Sequence, residues 1–258
     1  MEVNPVTVKL NRRVRLRLAL ERFAPTRALV GAYRAVRERL LVRRCRRAMR
    51  RFGLAVIGEV QRLLDGAGHE VFLSSGTLLG FVREGRPLPH DYDLDFGLTA
   101  DTDLEAVLTL LLSHGFGFRW AFELEGRITE LALERHGLNL DFFVYERDGE
   151  GSCAYSHVAA GGDDPAAMAA RRWHYPRPTP LGRLTACGLV LNVPHDCEAH
   201  LAANYGDWRR PDPHWNYARS YATGRTDEAT LPARRIDLRR TRELLRRRIA
   251  ALRNNRVR

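Results

Sequence analysis

The sequence has no long apolar run and only four cysteines, which lie far apart. No uninterrupted apolar stretch approaches the roughly 20 residues that a helix needs to cross a bilayer, and the first 30 residues lack the apolar block of a signal peptide. We therefore expect a cytoplasmic protein. Because the cysteines lack the close pairing typical of zinc ribbons and redox motifs, reduced thiols are expected.

Low-complexity segments and internal repeats are also missing. Of the 258 residues, 45% are apolar, which is enough for a hydrophobic core and excludes wholesale disorder. A chain of this length forms one large domain or two small ones. A zinc site is not expected, because His195, Cys197 and His200 lie close together in the sequence without a fourth ligand to complete the set.

The charge of the chain, +11 in total, is unevenly distributed. Residues 1–52 contain 16 basic and 3 acidic side chains, and residues 234–258 contain 11 basic and 2 acidic ones. The stretch between them, 53–233, has a net charge of −11. The distribution predicts an acidic central domain over 53–233, a basic and largely helical N-terminal extension, and a basic C-terminal helix.

The charge distribution also predicts which kinds of partner the chain binds. The acidic central domain would repel a polyanion, so nucleic acid is not expected as a partner. The basic ends fit peripheral contact with anionic lipid at the inner face of a membrane, where each Lys or Arg contributes about 1 kcal/mol. A solvated, Arg-rich helix face fits the same charge runs, and the sequence leaves both interpretations open.

The apolar periodicity predicts an α+β protein. Residues 26–63 show the three-and-four spacing of one long helix or of two consecutive helices, and Val71–Leu73 is typical of a short buried strand. A small-residue turn over 74–77 then leads into a short helix over 78–82. The other predicted elements are a helix capped by Asp101 and ending near Ser113, strands at 91–97, 117–123, 127–134, 138–145 and 189–193, an irregular connection over 159–180, and helices at 197–205 and 238–252.

Asp91, Asp93 and Asp95 alternate with apolar residues on one predicted strand. Side chains two residues apart on a strand point to the same face, so the three carboxylates share one side. Like charges this close are costly unless a cation binds between them. The pattern favours Mg²⁺, with Mn²⁺ as the alternative, because hard cations prefer oxygen ligands and commonly bind one or two carboxylates together with substrate phosphates.

A further acid, Asp141, lies within the otherwise apolar strand predicted over 138–145. An ionised Asp is rarely buried without a partner, which favours a functional role for this residue. We expect it beside the acidic strand, as a third metal ligand or as a proton acceptor. The structural alternative is a solvent-facing acid on an edge strand.

The turn over 74–77 connects a predicted strand to the N-terminus of a predicted helix. The first backbone N–H groups of a helix have no partner within the helix, and the helix dipole favours negative charge beside them. Such a terminus commonly binds a phosphate. The turn therefore predicts an anion site.

Four elements of the chain, in this order, resemble the LicD/fukutin family of the nucleotidyltransferase-fold superfamily. The similarity covers about residues 53–220, and four ordered elements are far more specific than a lone Asp-X-Asp pair. The elements are Ser75 to Gly80 with Arg83, Pro89 to Gly97, Leu140 to Phe143, and Val193-Pro194 followed by Asn204 to Arg209 and Pro211. The basic N-terminal region does not match the family's core motifs.

The resemblance implies a nucleotidyltransferase-like mixed β-sheet flanked by helices. It also implies transfer of a phospho-alcohol, such as phosphocholine or ribitol phosphate, from a CDP-activated donor to a hydroxyl of a cell-envelope glycan, a glycolipid or another glycoconjugate. By this resemblance, the catalytic and metal-binding residues are Asp93, Asp95 and Asp141; the contacts to the donor phosphates are Ser75, Gly76, Thr77 and Arg83; and the surrounding residues are His90, Asp91, Tyr205 and Asp207.

The sequence alone leaves two other functions open. A nucleotidyltransferase of the same fold would place a whole nucleotide monophosphate on a small acceptor and release pyrophosphate instead of CMP. A non-catalytic protein that binds anionic surfaces through its basic ends is the third interpretation. Single residues have alternatives too, since Arg83 also fits a surface position and Tyr205 also fits a helix packed against the core.

Overall fold

The computed structural model describes residues 24–162, 164–212, 215 and 229–255. The chain divides into two compact units, Met1–Arg44 and Cys45–Arg258. Most of the predicted N-terminal arm, residues 1–23, lies outside the described residues. None of the described helices combines the length and the apolar character that crossing a membrane requires.

The first unit is described over residues 24–44, which form the start of helix α1 (Ala24–Gly66). The long helix predicted from the apolar spacing is thus confirmed. Four large apolar side chains of this stretch are exposed: Tyr33, Val36, Leu40 and Leu41.

The second unit contains the rest of α1, four further helices and ten strands among the described residues. These elements are β1 (Val71–Leu73), α2 (Ser75–Glu84), β2 (Asp93–Thr99), α3 (Leu104–Ser113), β3 (Gly117–Leu124), β4 (Arg127–Arg135), β5 (Leu138–Asp148), β6 (Gly151–Ala159), β7 (Ala167–Tyr175), β8 (Gly182–Ala186), β9 (Leu189–Val193), α4 (Cys197–Tyr205), β10 (Leu231–Ile236) and α5 (Leu238–Asn255).

Eight of the strands form one mixed sheet in the order β1-β2-β5-β4-β3-β10-β7-β6. Strands β2 and β5 are parallel, and the other neighbours are antiparallel. Since β5 also pairs with β6, six strands of the sheet form a closed circuit. Strands β8 and β9 form a separate hairpin. The predicted α+β class is confirmed.

The main core fixes the position of β2. Leu94 and Phe96 of this strand are fully buried, and the ring of Phe96 stacks on Phe142 of β5 with 5.0 Å between centroids. Gly97 faces the ring of Phe72 on β1, and a Cβ at Gly97 would lie 2.2 Å from that ring. Glycine is therefore required at this position for β1 and β2 to pair.

The cap predicted for α3 is wrong by two residues. Asp103, not Asp101, accepts hydrogen bonds from the backbone N–H groups of Glu105 and Ala106, both at 3.1 Å. Asp101 instead forms an exposed ion pair with Arg147. Two candidate caps lie in this short turn, and the one whose side chain reaches the first free N–H groups is the cap.

The irregular connection predicted over 159–180 is also wrong, because it contains β7. Three of its nine residues are Ala, which is depleted in strands. It is paired on both sides, by β6 and by β10. Strand β10 spans the predicted boundary at residues 233 and 234, so residues on both sides of that boundary belong to one element.

Candidate active site

The parallel pairing of β2 with β5 positions the acidic residues. In this register Asp95 is directly opposite Asp141, and Asp93 is opposite Asn139. Opposite residues on neighbouring strands point to the same face, and the strands are about 4.8 Å apart. The structure therefore places Asp93, Asp95 and Asp141 on one face, with Asp141 beside the acidic strand.

Asp91 is the exception to the predicted acidic strand. Strand β2 begins at Asp93, so Asp91 lies in the loop that precedes it. Its Oδ1 accepts a hydrogen bond from the backbone N–H of Tyr92 at 3.0 Å. The carboxyl group nevertheless lines the same cavity as Asp93 and Asp95. Four carboxylates thus converge from a loop and two strands.

The turn at the start of α2 holds Asp95 in place. The N–H of Gly76 donates to Asp95 Oδ2 at 2.9 Å, and the hydroxyl of Thr77 accepts from the Asp95 N–H at 2.8 Å. A Cβ at Gly76 would lie 3.0 Å from Asp91 Oδ2 and 3.2 Å from Asp95 Oδ2. Glycine therefore lets the helix N-terminus approach both carboxylates.

Two of the groups predicted to bind donor phosphates are already engaged within the protein. The Gly76 N–H is already engaged by a carboxylate, and the Thr77 side chain is buried, while Ser75 lines the cavity with a backbone φ of 42°. Contact of these residues with donor phosphates stays a prediction. The structure shows that Gly76 and Thr77 hydrogen-bond to Asp95.

Burial and mutual repulsion make this cluster electrostatically costly. Burial raises the pKa of Asp93 to about 8, and the neighbouring Asp91 contributes in the same direction. The pKa of Asp95 is raised well above its usual range by burial and by Asp93, Asp91 and Asp141. Burial likewise raises the pKa of Asp141, which Arg119 only partly offsets. A cation would relieve this repulsion.

The acids line a cavity of about 380 Å³. Most of its other lining residues are aromatic, so the cavity combines carboxyl groups with apolar rings. The lining residues besides the four aspartates are Ser75, Gly76, Tyr92, Phe122, Glu130, Phe143, Tyr145, Ala154, Tyr155, Ser156, His157, Trp173, Tyr175, Asn204, Tyr205 and Trp215.

Of the remaining predicted site residues, only Tyr205 lines this cavity, with its ring 4.6 Å from that of Trp215. Arg83 donates to the backbone carbonyl of Trp208 at 3.3 Å and pairs with Glu84. His90 and Asp207 are exposed. The structure does not bring Arg83, His90 and Asp207 to the cavity wall.

Several residues of the cavity are not predicted by the sequence patterns. Glu130 of β4 and His157 of β6 are buried and hydrogen-bonded to each other. Tyr145 of β5 bonds through its hydroxyl to Ser74 at 2.7 Å and contacts His200 Nε2 at 3.2 Å. A polar residue inside an apolar strand was the signal that singled out Asp141, and Glu130 carries the same signal.

Comparison with known proteins identifies the family of this chain. The family description "LicD/FKTN/FKRP, nucleotidyltransferase domain" matches residues 68–196, which is half of the chain and includes the four aspartates. The chain belongs to the LicD/FKTN/FKRP family.

Curated relatives of this LicD-family chain are ribitol-phosphate transferases. Human "Ribitol-5-phosphate transferase FKTN" is 25% identical over 181 residues, which are 67% of this chain and 36% of the relative. Mouse "Ribitol 5-phosphate transferase FKRP" is 30% identical over 112 residues, which are 41% of this chain and 22% of the relative. The chain thus spans about a third or less of the length of the relatives that it matches.

Proposed function

We propose that this chain transfers a phospho-alcohol group from a CDP-activated donor to a hydroxyl of a glycan or glycoconjugate, with Mg²⁺ as cofactor. The observation that carries the proposal is the placement of Asp93, Asp95 and Asp141 on two paired parallel strands beside a cavity. Family membership supports it, as do the ribitol-phosphate transferase names of FKTN and FKRP.

The acid cluster fits a divalent cation in its chemistry. Its carboxylates repel one another in a buried setting, and they are hard oxygen ligands. Among the described residues, no three His, Cys, Asp or Glu side chains are placed so that they could hold a metal ion by themselves, so donor phosphates would have to supply further ligands. Asp93 and Asp95, with Asp141 beside them, would hold Mg²⁺ together with donor phosphates, and the ion would neutralise the phosphate charge.

The chain's own residues supply position and proton transfer. Phosphoryl transfer demands little covalent chemistry from the protein, so orientation and charge neutralisation supply most of the acceleration. The acceptor oxygen forms a bond to the phosphorus while the bond to the CMP oxygen breaks. Asp141 completes the cluster as a ligand or accepts the acceptor's proton, and burial raises the pKa of its carboxyl, which makes the carboxylate a stronger base.

Product analysis tests this proposal. The chain is incubated with Mg²⁺, a glycan acceptor and CDP-ribitol, CDP-choline or CDP-glycerol, and the products are identified by mass spectrometry. We expect CMP and an acceptor that carries the phospho-alcohol. Pyrophosphate and an acceptor that carries a nucleotide monophosphate would instead establish the nucleotidyltransferase alternative.

Peripheral contact with an anionic membrane is part of the proposal. Residues 1–52 carry 16 basic and 3 acidic side chains, and Leu40 and Leu41 of α1 are exposed. Sedimentation with phosphatidylglycerol vesicles is expected to remove the chain from solution at low salt and not at high salt. Equal sedimentation with uncharged phosphatidylcholine vesicles would contradict electrostatic contact.

A further inference from the structure

A second pair of ionisable side chains lies in the cavity, apart from the acidic strand. Glu130 Oε2 and His157 Nδ1 are 3.1 Å apart, and His157 Nε2 is 3.1 Å from the hydroxyl of Thr129. Glu130 and His157 both line the cavity, although they are only 6% and 8% exposed. The surrounding strands therefore hold their polar atoms in position before a ligand binds.

The chemistry of Glu130 suits a hydroxyl group. Among the described residues, Oε2 is the oxygen that His157 engages, which leaves Oε1 for a ligand in the cavity. A carboxylate accepts a hydrogen bond from a hydroxyl, and a carboxylic acid can also donate one, so a hydroxyl fits either state. Burial raises the pKa of Glu130 to about 8 and lowers that of His157 to about 3.

The walls around this pair are aromatic. The ring of Phe122 stacks on His157 with 4.2 Å between centroids, and Tyr155 and Trp173 also belong to the cavity lining. Ligand sites typically combine apolar walls with a few fixed polar groups that set orientation. The C–H faces of a polyol or sugar can pack on such rings while its hydroxyls reach Glu130.

The sheet sets the distance between this pair and the acid cluster. The strand order places β5, which carries Asp141, between β2 and β4, and Glu130 lies opposite Phe143, two residues along β5 from Asp141. Neighbouring strands are about 4.8 Å apart, so β4 lies about 10 Å from β2. A ligand whose phosphate is held near Asp95 can therefore extend its hydroxylated part to Glu130.

We propose that Glu130 and His157 form a subsite for a hydroxyl of a polyol or sugar. Glu130 is the group that touches the ligand, and His157 is a positioning residue that fixes the Glu130 carboxyl. This inference rests on the proposed function. The hydroxyl belongs either to the alcohol of the donor or to the sugar of the acceptor, and the experiment below separates these sources.

Calorimetric titration of the full chain with Mg²⁺ tests the subsite. The ligands are CDP-ribitol, CDP-choline, which has no free hydroxyl on its alcohol part, and methyl β-galactopyranoside as an acceptor probe. The variants are Glu130→Leu and the control Glu134→Leu, an exposed position on the same strand. We expect Glu130→Leu to weaken hydroxyl binding about tenfold, the usual scale of one lost hydrogen bond.

The pattern of losses identifies the source of the hydroxyl. Weaker binding of CDP-ribitol with unchanged CDP-choline assigns the subsite to the donor alcohol, and weaker binding of the glycoside assigns it to the acceptor. His157→Asn is expected to weaken the same ligand. Wild-type affinity of Glu130→Leu for CDP-ribitol and the glycoside, or equal losses in Glu134→Leu, would overturn the inference.

The wild-type protein gives a test that does not depend on folding of a variant. The subsite predicts that CDP-ribitol binds more tightly than CDP-choline, or that the glycoside binds; equal nucleotide affinities without glycoside binding would overturn it. CDP alone serves as a further ligand. Failure of CDP to bind would contradict the proposed function, while the glycoside titration still decides on the subsite.

Discussion

Gly76 shows how one residue without a side chain organises the acid cluster. Its N–H binds Asp95, and its missing side chain leaves room for the carboxyl of Asp91. The sequence indicated this turn as an anion site, and the anions found there are the protein's own carboxylates. A carboxylate that accepts a backbone N–H has one oxygen fixed, so the other is oriented for a ligand.

Gly76→Ala tests this role at the scale of a single residue. The added Cβ would press on both carboxylates from 3.0 and 3.2 Å, so we expect loss of transfer activity with an almost unchanged melting temperature. The control is Gly66→Ala at the end of α1, where a Cβ would meet nothing within 4 Å. Full activity of Gly76→Ala would show that the close approach does not matter. A steady-state assay measures the transfer activity of each variant, and a thermal melt measures its melting temperature.

At the scale of elements, the parallel pairing of β2 with β5 is what brings the acids together. The sequence predicted both strands from their apolar alternation, and it singled out Asp141 as an acid inside an apolar run. It could not predict the register that sets Asp95 opposite Asp141, because register depends on the packing of Phe96 on Phe142. Strand β7 was missed because pairing on both sides stabilises a sequence of weak strand propensity.

The N-terminus of α3 gives a prediction at this scale. Asp103→Ala removes the two cap hydrogen bonds and is expected to lower the free energy of unfolding by about 1 kcal/mol. Asp101→Ala removes only an exposed ion pair with Arg147 and is expected to have little effect. Urea denaturation of both variants measures the difference. Equal losses in the two variants would contradict the assignment of the cap.

At the scale of the whole molecule, residues of the sheet and of two helices line one cavity, and this lining combines carboxyl groups with aromatic rings. The acids lie close together and repel one another when they are ionised. The free energy of unfolding therefore depends on pH. Asp93 has a usual pKa of 3.8 and a pKa of about 8 in the fold. Between these values the folded chain binds the proton more strongly than the unfolded chain, so this residue makes stability fall as pH rises.

Mg²⁺ should reverse that trend. Because the ion binds deprotonated carboxylates, it competes with the proton on Asp93, and its affinity should rise as pH approaches and passes about 8. We expect the Mg²⁺-dependent increase in melting temperature to be larger at pH 8.5 than at pH 6.5. Asp95→Asn should reduce that increase at both pH values. An increase that is independent of pH would contradict metal binding at these carboxylates.

The role of the carboxylates in catalysis is tested by the rate of CMP release from CDP-ribitol with Mg²⁺ and a glycan acceptor. We expect Asp95→Asn and Asp141→Asn each to lower this rate about 100-fold or more, the usual scale for losing a group that positions or stabilises the transition state. The exposed Asp101→Asn should leave it unchanged. Wild-type rates in folded Asp95→Asn and Asp141→Asn would show that these carboxylates do not carry the reaction.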